Sequence, residues 1–167
     1  MPTPINTDPA TYNSTTAGDF TLGMVVQWQG QDYQFVRVGN GAGDTAVSDG
    51  HVVIWAASNG AGGTTPGYYV TGALSGTANS SGFANNPAAG VGVGSISLNN
   101  YGFILIRGLH TNVKGQATIT VGYPQVISAT AGTGNDQGAG TAETTSVFGR
   151  AMTTVSGGRY TVMVGVK

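Results

Sequence analysis

Residues 99–110 read NNYGFILIRGLH and contain the longest unbroken apolar run of the chain, Phe103 to Ile106, between two glycines. The run lacks the polar–apolar alternation of a strand with one solvated face, and it is too short for an ordinary helix. We therefore predict a strand buried on both faces, one on the core and the other beneath a loop or a neighbouring subunit. Arg107 ends this strand, where its side chain can reach solvent or pair across an interface.

The rest of the chain repeats short β-branched and aromatic segments separated by glycine-rich turns, without helical periodicity. This pattern predicts an all-β protein, a single β-sandwich or small β-barrel of about nine short strands. A type II′ turn at Gly30-Gln31 is expected to join the first two strands. The strands are predicted over 24–29, 32–38, 51–56, 67–72, 102–108, 117–121, 124–130, 144–152 and 159–166.

Three connections are long and rich in small residues, over 39–50, 75–95 and 131–143. Loops of this length are uncommon in compact domains unless they have a function or are disordered. Because they carry little apolar bulk of their own, we expect them to be ordered against a neighbouring subunit.

Residues 1–17 are predicted to form an extended N-terminal arm, and residues 18–167 the β domain. Prolines at positions 2, 4 and 9 favour an extended segment over a folded element. Two interpretations stay open, a frayed terminus and an arm that docks on a partner by strand addition. Under the second, the predicted partner-binding residues are Pro4, Ile5, Pro9 and Tyr12, together with Arg107.

Charge is scarce in this sequence: charged residues make up 8%, against roughly 25% in an average soluble protein. The formal net charge is −1, and the six Lys and Arg residues are scattered. Nucleic-acid binding is therefore not expected, since it needs clustered cations.

No apolar run approaches the ~18 residues of a membrane span, and the first residues lack an export signal. We expect a protein made in the cytoplasm without membrane contact.

The scarcity of charge also bears on association. Lys114 and Lys167 are the only lysines, so exposed sheet edges lack their usual protection. A monomer with such edges and a net charge near zero risks precipitation. We expect partner subunits, rather than loops, to cover the edges.

Residues with catalytic potential are few. His51 has only Asp49 near it in sequence, His110 has no nearby acid, and G-x-S-x-G and H-E-x-x-H motifs are absent. The glycine-rich stretches 39–44 and 90–95 lack the Lys-Ser/Thr pair of a phosphate loop, and Asp136 alone makes a poor calcium site. We predict no enzyme activity and no catalytic, cofactor-binding or metal-binding residues.

Five aromatic residues allow two interpretations. On alternating strand positions they would fill a β core, which we favour; on the surface they would form a platform for stacking sugars. The residues are Trp28, Tyr33, Trp55, Tyr68 and Tyr69.

The second half of the chain carries an ordered set of glycine-containing motifs. It runs from Tyr101-Gly102-Phe103 through Arg107-Gly108 and Gly115-Gln116-Ala117 to a small-residue strand around 127–130. Phe148-Gly149-Arg150-Ala151, then Gly157-Gly158 and a final apolar strand complete it. This order, over roughly residues 100–166, resembles the β-rich decoration (cement) proteins of tailed-bacteriophage capsids.

The resemblance implies a non-enzymatic protein of the virion, made in the host cytoplasm and placed on the capsid surface. Proteins of that family are typically trimers that bridge major capsid protein subunits and stabilise the shell without a cofactor. The alternative is a phage tail-fibre or receptor-binding domain that recognises carbohydrate through surface aromatics.

Overall fold

The described residues form an all-β protein with eleven strands and one 3-10 turn. The structure is a computed structural model and describes residues 3–39, 43–55, 68–72, 88–128, 132–137 and 147–165. The strands are β1 (Thr3–Pro4), β2 (Val25–Trp28), β3 (Gln31–Val38), β4 (Val52–Trp55), β5 (Tyr69–Thr71), β6 (Ala88–Gly92), β7 (Tyr101–Lys114), β8 (Pro124–Ile127), β9 (Gly134–Asp136), β10 (Gly149–Ala151) and β11 (Arg159–Val164), and the 3-10 turn is Pro9–Thr11. The prediction of an all-β fold is confirmed.

Five strands close into a small barrel. They follow one another in the order β3-β5-β4-β6-β7, and β3 pairs with β7 to complete the ring. Each of the five contributes at least one side chain to a single buried cluster, which therefore fills the barrel interior. The cluster consists of Val36, Val38, Val47, Val53, Val70, Ala89, Ile96 and Ile104.

Strand β7 belongs to two sheets. Its first half pairs with β3, from Tyr101 to Arg107, and its second half pairs with β11, from Gly108 to Lys114. Gly108 has φ 137°, and a Cβ atom there would lie 2.6 Å from the Gln31 side-chain oxygen. Glycine at this position therefore lets β7 pass closely by β3 as it leaves the barrel.

The second sheet has the order β7-β11-β10-β8-β9. An isolated parallel bridge joins Gly115, just after β7, to Gly134 of β9, so the sheet curls back on itself. Val113, Ala151, Tyr160 and Val162 are buried in this sheet, in the same cluster as barrel residues such as Phe103. The barrel and the second sheet therefore share this buried cluster, which is distinct from the one inside the barrel.

The N-terminal segment covers the outside of the barrel. Thr3 and Pro4 pair in parallel with Val26 and Gln27 of β2, and Ser14 bridges to Tyr101 of β7. Phe103 and Leu105, on the face of β7 opposite to Ile104, are completely buried. The prediction that this strand is buried on both faces is confirmed for Phe103 to Leu105, whereas Ile106 is only partly buried.

Strand edges are covered within the chain to a greater extent than we expected. Barrel closure removes the edges of five strands, β1 covers part of β2, and the bridge to Gly115 meets β9. For these strands, the expectation that partner subunits must cover the edges is wrong.

Most of the predicted strands are present, with several differences. The strand predicted over 102–108 continues to Lys114 as β7, and β1 was not predicted. The segment 117–121 forms no strand, whereas β6 and β9 lie inside predicted loops. The hairpin turn between β2 and β3 is made by Gln29 and Gly30, both with positive φ (49° and 76°), as in a type I′ turn rather than the predicted type II′ turn. Parts of the predicted loops, over 40–42, 75–87, 131 and 138–143, lie outside the described residues, as do residues 56, 67, 129–130, 144–146 and 166 of the predicted strands.

Candidate functional site

The predicted partner-binding residues of the N-terminal arm contact their own chain. The Ile5 backbone N–H donates to the Gln27 carbonyl at 3.2 Å, beside the pairing of Pro4 with the same residue. Pro9 is buried at the start of the 3-10 turn, which Asp8 caps by accepting a hydrogen bond from the Ala10 N–H at 2.9 Å. Their role in binding a partner stays a prediction.

Tyr12 has the most extensive contacts of the arm. Its ring packs edge-on against Phe20, Phe35 and Phe103, with centroid distances of 5.4, 5.7 and 5.5 Å. Its hydroxyl donates to the Ala17 carbonyl at 3.2 Å. Tyr12 therefore shields two fully buried phenylalanines on the outer face of the barrel.

Arg107 lies where β7 leaves β3, and its side chain is 78% exposed. Its Nη1 is 3.5 Å from Asp32 Oδ2, and the Asp32 side chain is only 11% exposed. An ion pair with one exposed partner contributes little to stability. Arg107 lies in the middle of β7 rather than at the predicted strand end, and its guanidinium is exposed to solvent; its role in binding a partner stays a prediction.

The polar residues that come closest to a catalytic arrangement meet at the junction of the two sheets. We call this group the histidine cluster; it consists of Asp49, His51, His110, Asn112, Lys114 and Arg159. The second half of β7 supplies three members, β11 supplies Arg159, and the loop before β4 supplies Asp49 and His51.

His110 is paired with Asp49 at 3.2 Å between Nε2 and Oδ1. The Asn112 backbone N–H donates to His110 Nδ1 at 3.1 Å, so the neutral ring carries its proton on Nε2. The Asn112 side-chain amide donates to the other Asp49 oxygen at 2.6 Å. Burial lowers the pKa of His110, although Asp49 acts in the opposite direction. The acidic partner that His110 lacks nearby in sequence is therefore supplied by the fold, from the loop before β4.

Arg159 fixes the backbone of the same cluster. Its Nη1 donates to the carbonyl oxygens of Asp49 (3.1 Å) and Asn112 (2.8 Å). Gly50 leaves room for this approach, since a Cβ atom there would lie 2.6 Å from Arg159 Nη1. The guanidinium thus ties the loop before β4 to β7.

His51 has an N–H donor opposite each ring nitrogen. The Ser48 backbone N–H points to Nδ1 at 3.3 Å, and the Lys114 ammonium contacts Nε2. Burial, together with the charges of Lys114 and Arg159, lowers the pKa of His51 from 6.5 to about 4. Burial also lowers the pKa of Lys114. The ring is therefore neutral at physiological pH. Since Nδ1 accepts from Ser48, the single ring N–H is on Nε2 and faces the Lys114 ammonium.

The cluster as described does not form a hydrolase site. A carboxylate–imidazole pair needs a nucleophile within reach of the ring for triad-type chemistry. His110 Nε2 faces Asp49, and Nδ1 accepts from a backbone N–H, so both nitrogens already have partners. A cleft of about 520 Å³ adjoins His110, lined by Gln31, Tyr33, Asp49, Val93, Leu105, Leu109, Thr111 and Asn112.

Metal binding was not expected, and Asp136 has other partners. Its Oδ1 accepts from the Gln125 amide at 2.6 Å and its Oδ2 from the Thr120 backbone N–H at 2.7 Å. Within the described ranges, no three or more His, Asp or Glu side chains group as metal ligands. No helix of the described chain is long and apolar enough to cross a membrane.

The five aromatic residues divide between the two interpretations. Tyr33 is buried in the core at 7% exposure, as favoured, whereas Tyr68 is 43% exposed. Trp55 contacts Tyr68 edge-on at 5.8 Å between centroids. The Arg37 guanidinium lies 6.0 Å from the centre of the Tyr69 ring. Core filling therefore accounts for Tyr33 and for Trp28, which is partly buried against the core. Trp55 is partly buried against the barrel cluster, and the surface interpretation retains its contact with Tyr68, together with Tyr69.

A separate apolar surface lies at one end of the strands of the second sheet, beside the start of β8 and the end of β10. Val121, Tyr123 and Met152 are 54, 46 and 48% exposed, and we call them the apolar edge patch. The Gly122 N–H donates to the Ala151 carbonyl and the Ala151 N–H to the Tyr123 carbonyl, at 2.8 and 3.1 Å. These bonds hold the turn containing Val121 and Tyr123 beside Met152. No sequence feature indicated the patch, because the predicted strand 117–121 would have placed Val121 in a sheet.

Comparison with known proteins leaves the family open. The sequence matches no protein-family profile and no curated protein. One solved structure, described as the crystal structure of head fiber gp8.5 N base in bacteriophage phi29, covers 79% of this chain and 92% of its own. It is 12% identical to this chain, with a TM-score of 0.48. A likeness at this level carries no conclusion about the function of the present chain.

Proposed function

We propose that this chain is a non-enzymatic structural protein of a tailed-phage virion that decorates the capsid surface. In this proposal it acts as a homotrimer, bridges major capsid protein subunits and stabilises the shell. The proposal starts from the resemblance over residues 100–166. Its motif residues Gly102-Phe103, Gly149-Arg150-Ala151 and Gly157-Gly158 lie in or directly beside β7, β10 and β11, which are consecutive strands of the sheet order.

The apolar edge patch is the observation that carries the proposal. Singly exposed apolar side chains are normal, but adjacent ones mark contact surfaces. Val121, Tyr123 and Met152 are about half exposed and adjacent. A side-chain surface of this kind suits a contact with capsid protein or a second copy, whereas a catalytic role would need a reactive group at the surface.

The partner contacts of the N-terminal arm and Arg107 belong to the same proposal. Pro9 and Tyr12 are already packed on their own barrel, so a partner would meet the outward side chains of residues 6, 7, 10 and 11, which are exposed. Arg107 is exposed at 78% and offers a cation to an acidic group on the capsid.

A co-sedimentation assay with capsids that lack this protein tests the proposal. Tyr123→Ser combined with Met152→Ser should reduce binding at least tenfold, while the variant Tyr68→Ser, an exposed tyrosine on the barrel, serves as the matched control. Light scattering should give the mass of a trimer for the wild type. Unchanged binding of the double variant to capsids, together with a monomeric wild type, would refute the proposal.

A second candidate is a receptor-binding domain of a tail fibre that recognises carbohydrate. The contact between Trp55 and the exposed Tyr68, with Tyr69 and Arg37 nearby, favours it, because aromatic faces stack on sugars. Immunogold labelling of virions separates the two candidates. Many copies on the head support the capsid role, and few copies on the tail support the fibre.

A further inference from the structure

Two cations face each other across the pairing of β7 and β11. Lys114 and Arg159 are direct partners in the register of these antiparallel strands. Like charges directly opposite each other are destabilising. The whole chain has only six Lys and Arg residues, so two of the six are placed where they repel each other.

His51 adds a third basic side chain to the same place. Its Nε2 contacts the Lys114 ammonium, and its Nδ1 faces the Ser48 N–H. If the ring takes up a proton, both nitrogens become donors that face donors. The arrangement therefore has more N–H donors than acceptors.

The nearby carboxylate does not balance this excess. Asp49 accepts from His110 on one oxygen and from Asn112 on the other. With both histidines neutral, Lys114 and Arg159 carry two positive charges against the single negative charge of Asp49. Among the residues that the structure describes, a net positive charge therefore remains at this partly exposed position.

We propose that Lys114, Arg159 and His51 form a binding site for an oxyanion, a carboxylate or a phosphate, at the junction of the two sheets. An anion between Lys114 and Arg159 converts their repulsion into two favourable charge-assisted hydrogen bonds. It also gives an acceptor to the N–H on His51 Nε2, which otherwise faces the Lys114 ammonium. The site is independent of the proposed function, because it concerns residues away from the apolar edge patch.

Thermal unfolding in phosphate, acetate and chloride at constant ionic strength tests the site. A ligand that binds only the folded state raises the Tm. At about 50 times its Kd, the expected rise for a protein of this size is roughly 5–9 °C. Chloride at the same ionic strength controls for general screening. Titration of the His51 ring protons by NMR supplies a second readout, and its midpoint should move to higher pH when the anion is bound.

Variants locate the response. Lys114→Gln should abolish both the rise in Tm and the shift of the His51 midpoint, and Lys114→Arg should retain them. Arg150→Gln removes an exposed cation elsewhere in the second sheet and should behave as the wild type. Circular dichroism checks that each variant is folded.

The outcomes decide between the alternatives. A response to phosphate alone supports a site for a free phosphate-type ion, and an additional response to acetate and a short acidic peptide supports a protein carboxylate as the ligand. Equal behaviour in all three salts, or a response that persists in Lys114→Gln, overturns the proposal.

Discussion

Replacement of Tyr12 by alanine should destabilise the protein substantially, although the residue belongs to a proline-rich terminal arm. The Tyr12 ring lies over Phe35 and Phe103, which are both 0% exposed. Without the ring, water reaches this apolar surface on the outside of the barrel. The position of Tyr12 in a proline-rich terminal segment gave no indication of this contribution to the core.

The magnitude follows from the contacts. Truncation of a fully buried large aromatic side chain to alanine costs ~3–5 kcal/mol, and each edge-on aromatic pair contributes ~0.5–1.5 kcal/mol beyond its buried area. Tyr12 makes three such pairs but is only partly buried. We therefore expect a loss of ~2–4 kcal/mol, equivalent to a fall in Tm of roughly 4–16 °C.

Guanidinium denaturation followed by circular dichroism measures this loss. Tyr12→Phe removes only the hydrogen bond to the Ala17 carbonyl and should cost ~0.5–1.5 kcal/mol. Tyr123→Ala, which truncates a tyrosine that is 46% exposed, serves as the control and should cost less than ~1 kcal/mol. The reasoning is refuted if Tyr12→Ala unfolds at the same denaturant concentration as Tyr123→Ala.

Three further predictions concern single positions. The pKa of His51 is lowered from 6.5 to about 4, so the unfolded state binds a proton first and the free energy of unfolding should fall as the pH drops from 6.5 to 4. Because the ring is half-buried and screened by solvent, we expect the free energy of unfolding to fall by ~1 kcal/mol over this pH range. Urea titrations at pH 7.5 and 4.5 should show a smaller pH dependence of stability for His51→Gln. Gly134→Ala should cost at least ~2 kcal/mol in urea unfolding, because its Cβ atom would lie 2.1 Å from the Tyr160 hydroxyl; an unchanged midpoint contradicts this. Gln29→Asn should raise the thermal midpoint by about 1–3 °C, since asparagine tolerates positive φ in a type I′ turn better than glutamine does, and a lower midpoint contradicts the turn assignment.

Strands rich in β-branched and aromatic residues were predictable because their composition suits a buried, pleated surface. Strand β6 was not, since its sequence AAGVG contains alanine and glycine. Packing against β7 explains the glycine in β6: a Cβ atom on Gly90 would lie 2.4 Å from the Leu105 carbonyl oxygen. Close approach to β7 therefore requires a residue type that local propensity disfavours in a strand.

The opposite error, a predicted strand that the structure does not contain, occurred at 117–121. The sequence ATITV alternates as a strand does, yet only Ile119 is buried, at 3% exposure. The Thr120 backbone N–H donates to the Asp136 carboxylate instead of to a neighbouring strand. A side chain that is distant in sequence thus satisfies the backbone group that a ladder would have used.

The histidine cluster could not be predicted for the same reason, because its members are brought together by contacts between distant parts of the sequence. Asp49 and His110 are far apart in sequence and meet only because β7 continues past the barrel and runs beside the loop before β4. No local spacing encodes this meeting. The absence of known motifs was correctly observed in the sequence, but it did not exclude a carboxylate–imidazole pair formed by the fold.

The covered strand edges change how association must work. Barrel closure, the pairing of β1 with β2 and the bridge between Gly115 and Gly134 satisfy backbone groups within one chain. A partner that adds a strand at these places would have to break backbone hydrogen bonds that already exist. The loss of those hydrogen bonds offsets most of the free energy that the new ones contribute. Association is therefore more favourable through exposed side chains, and the apolar edge patch offers three that are adjacent. An assembly built on such a patch depends on Tyr123 and Met152 more than on the arm, so the two surfaces can be separated by mutation.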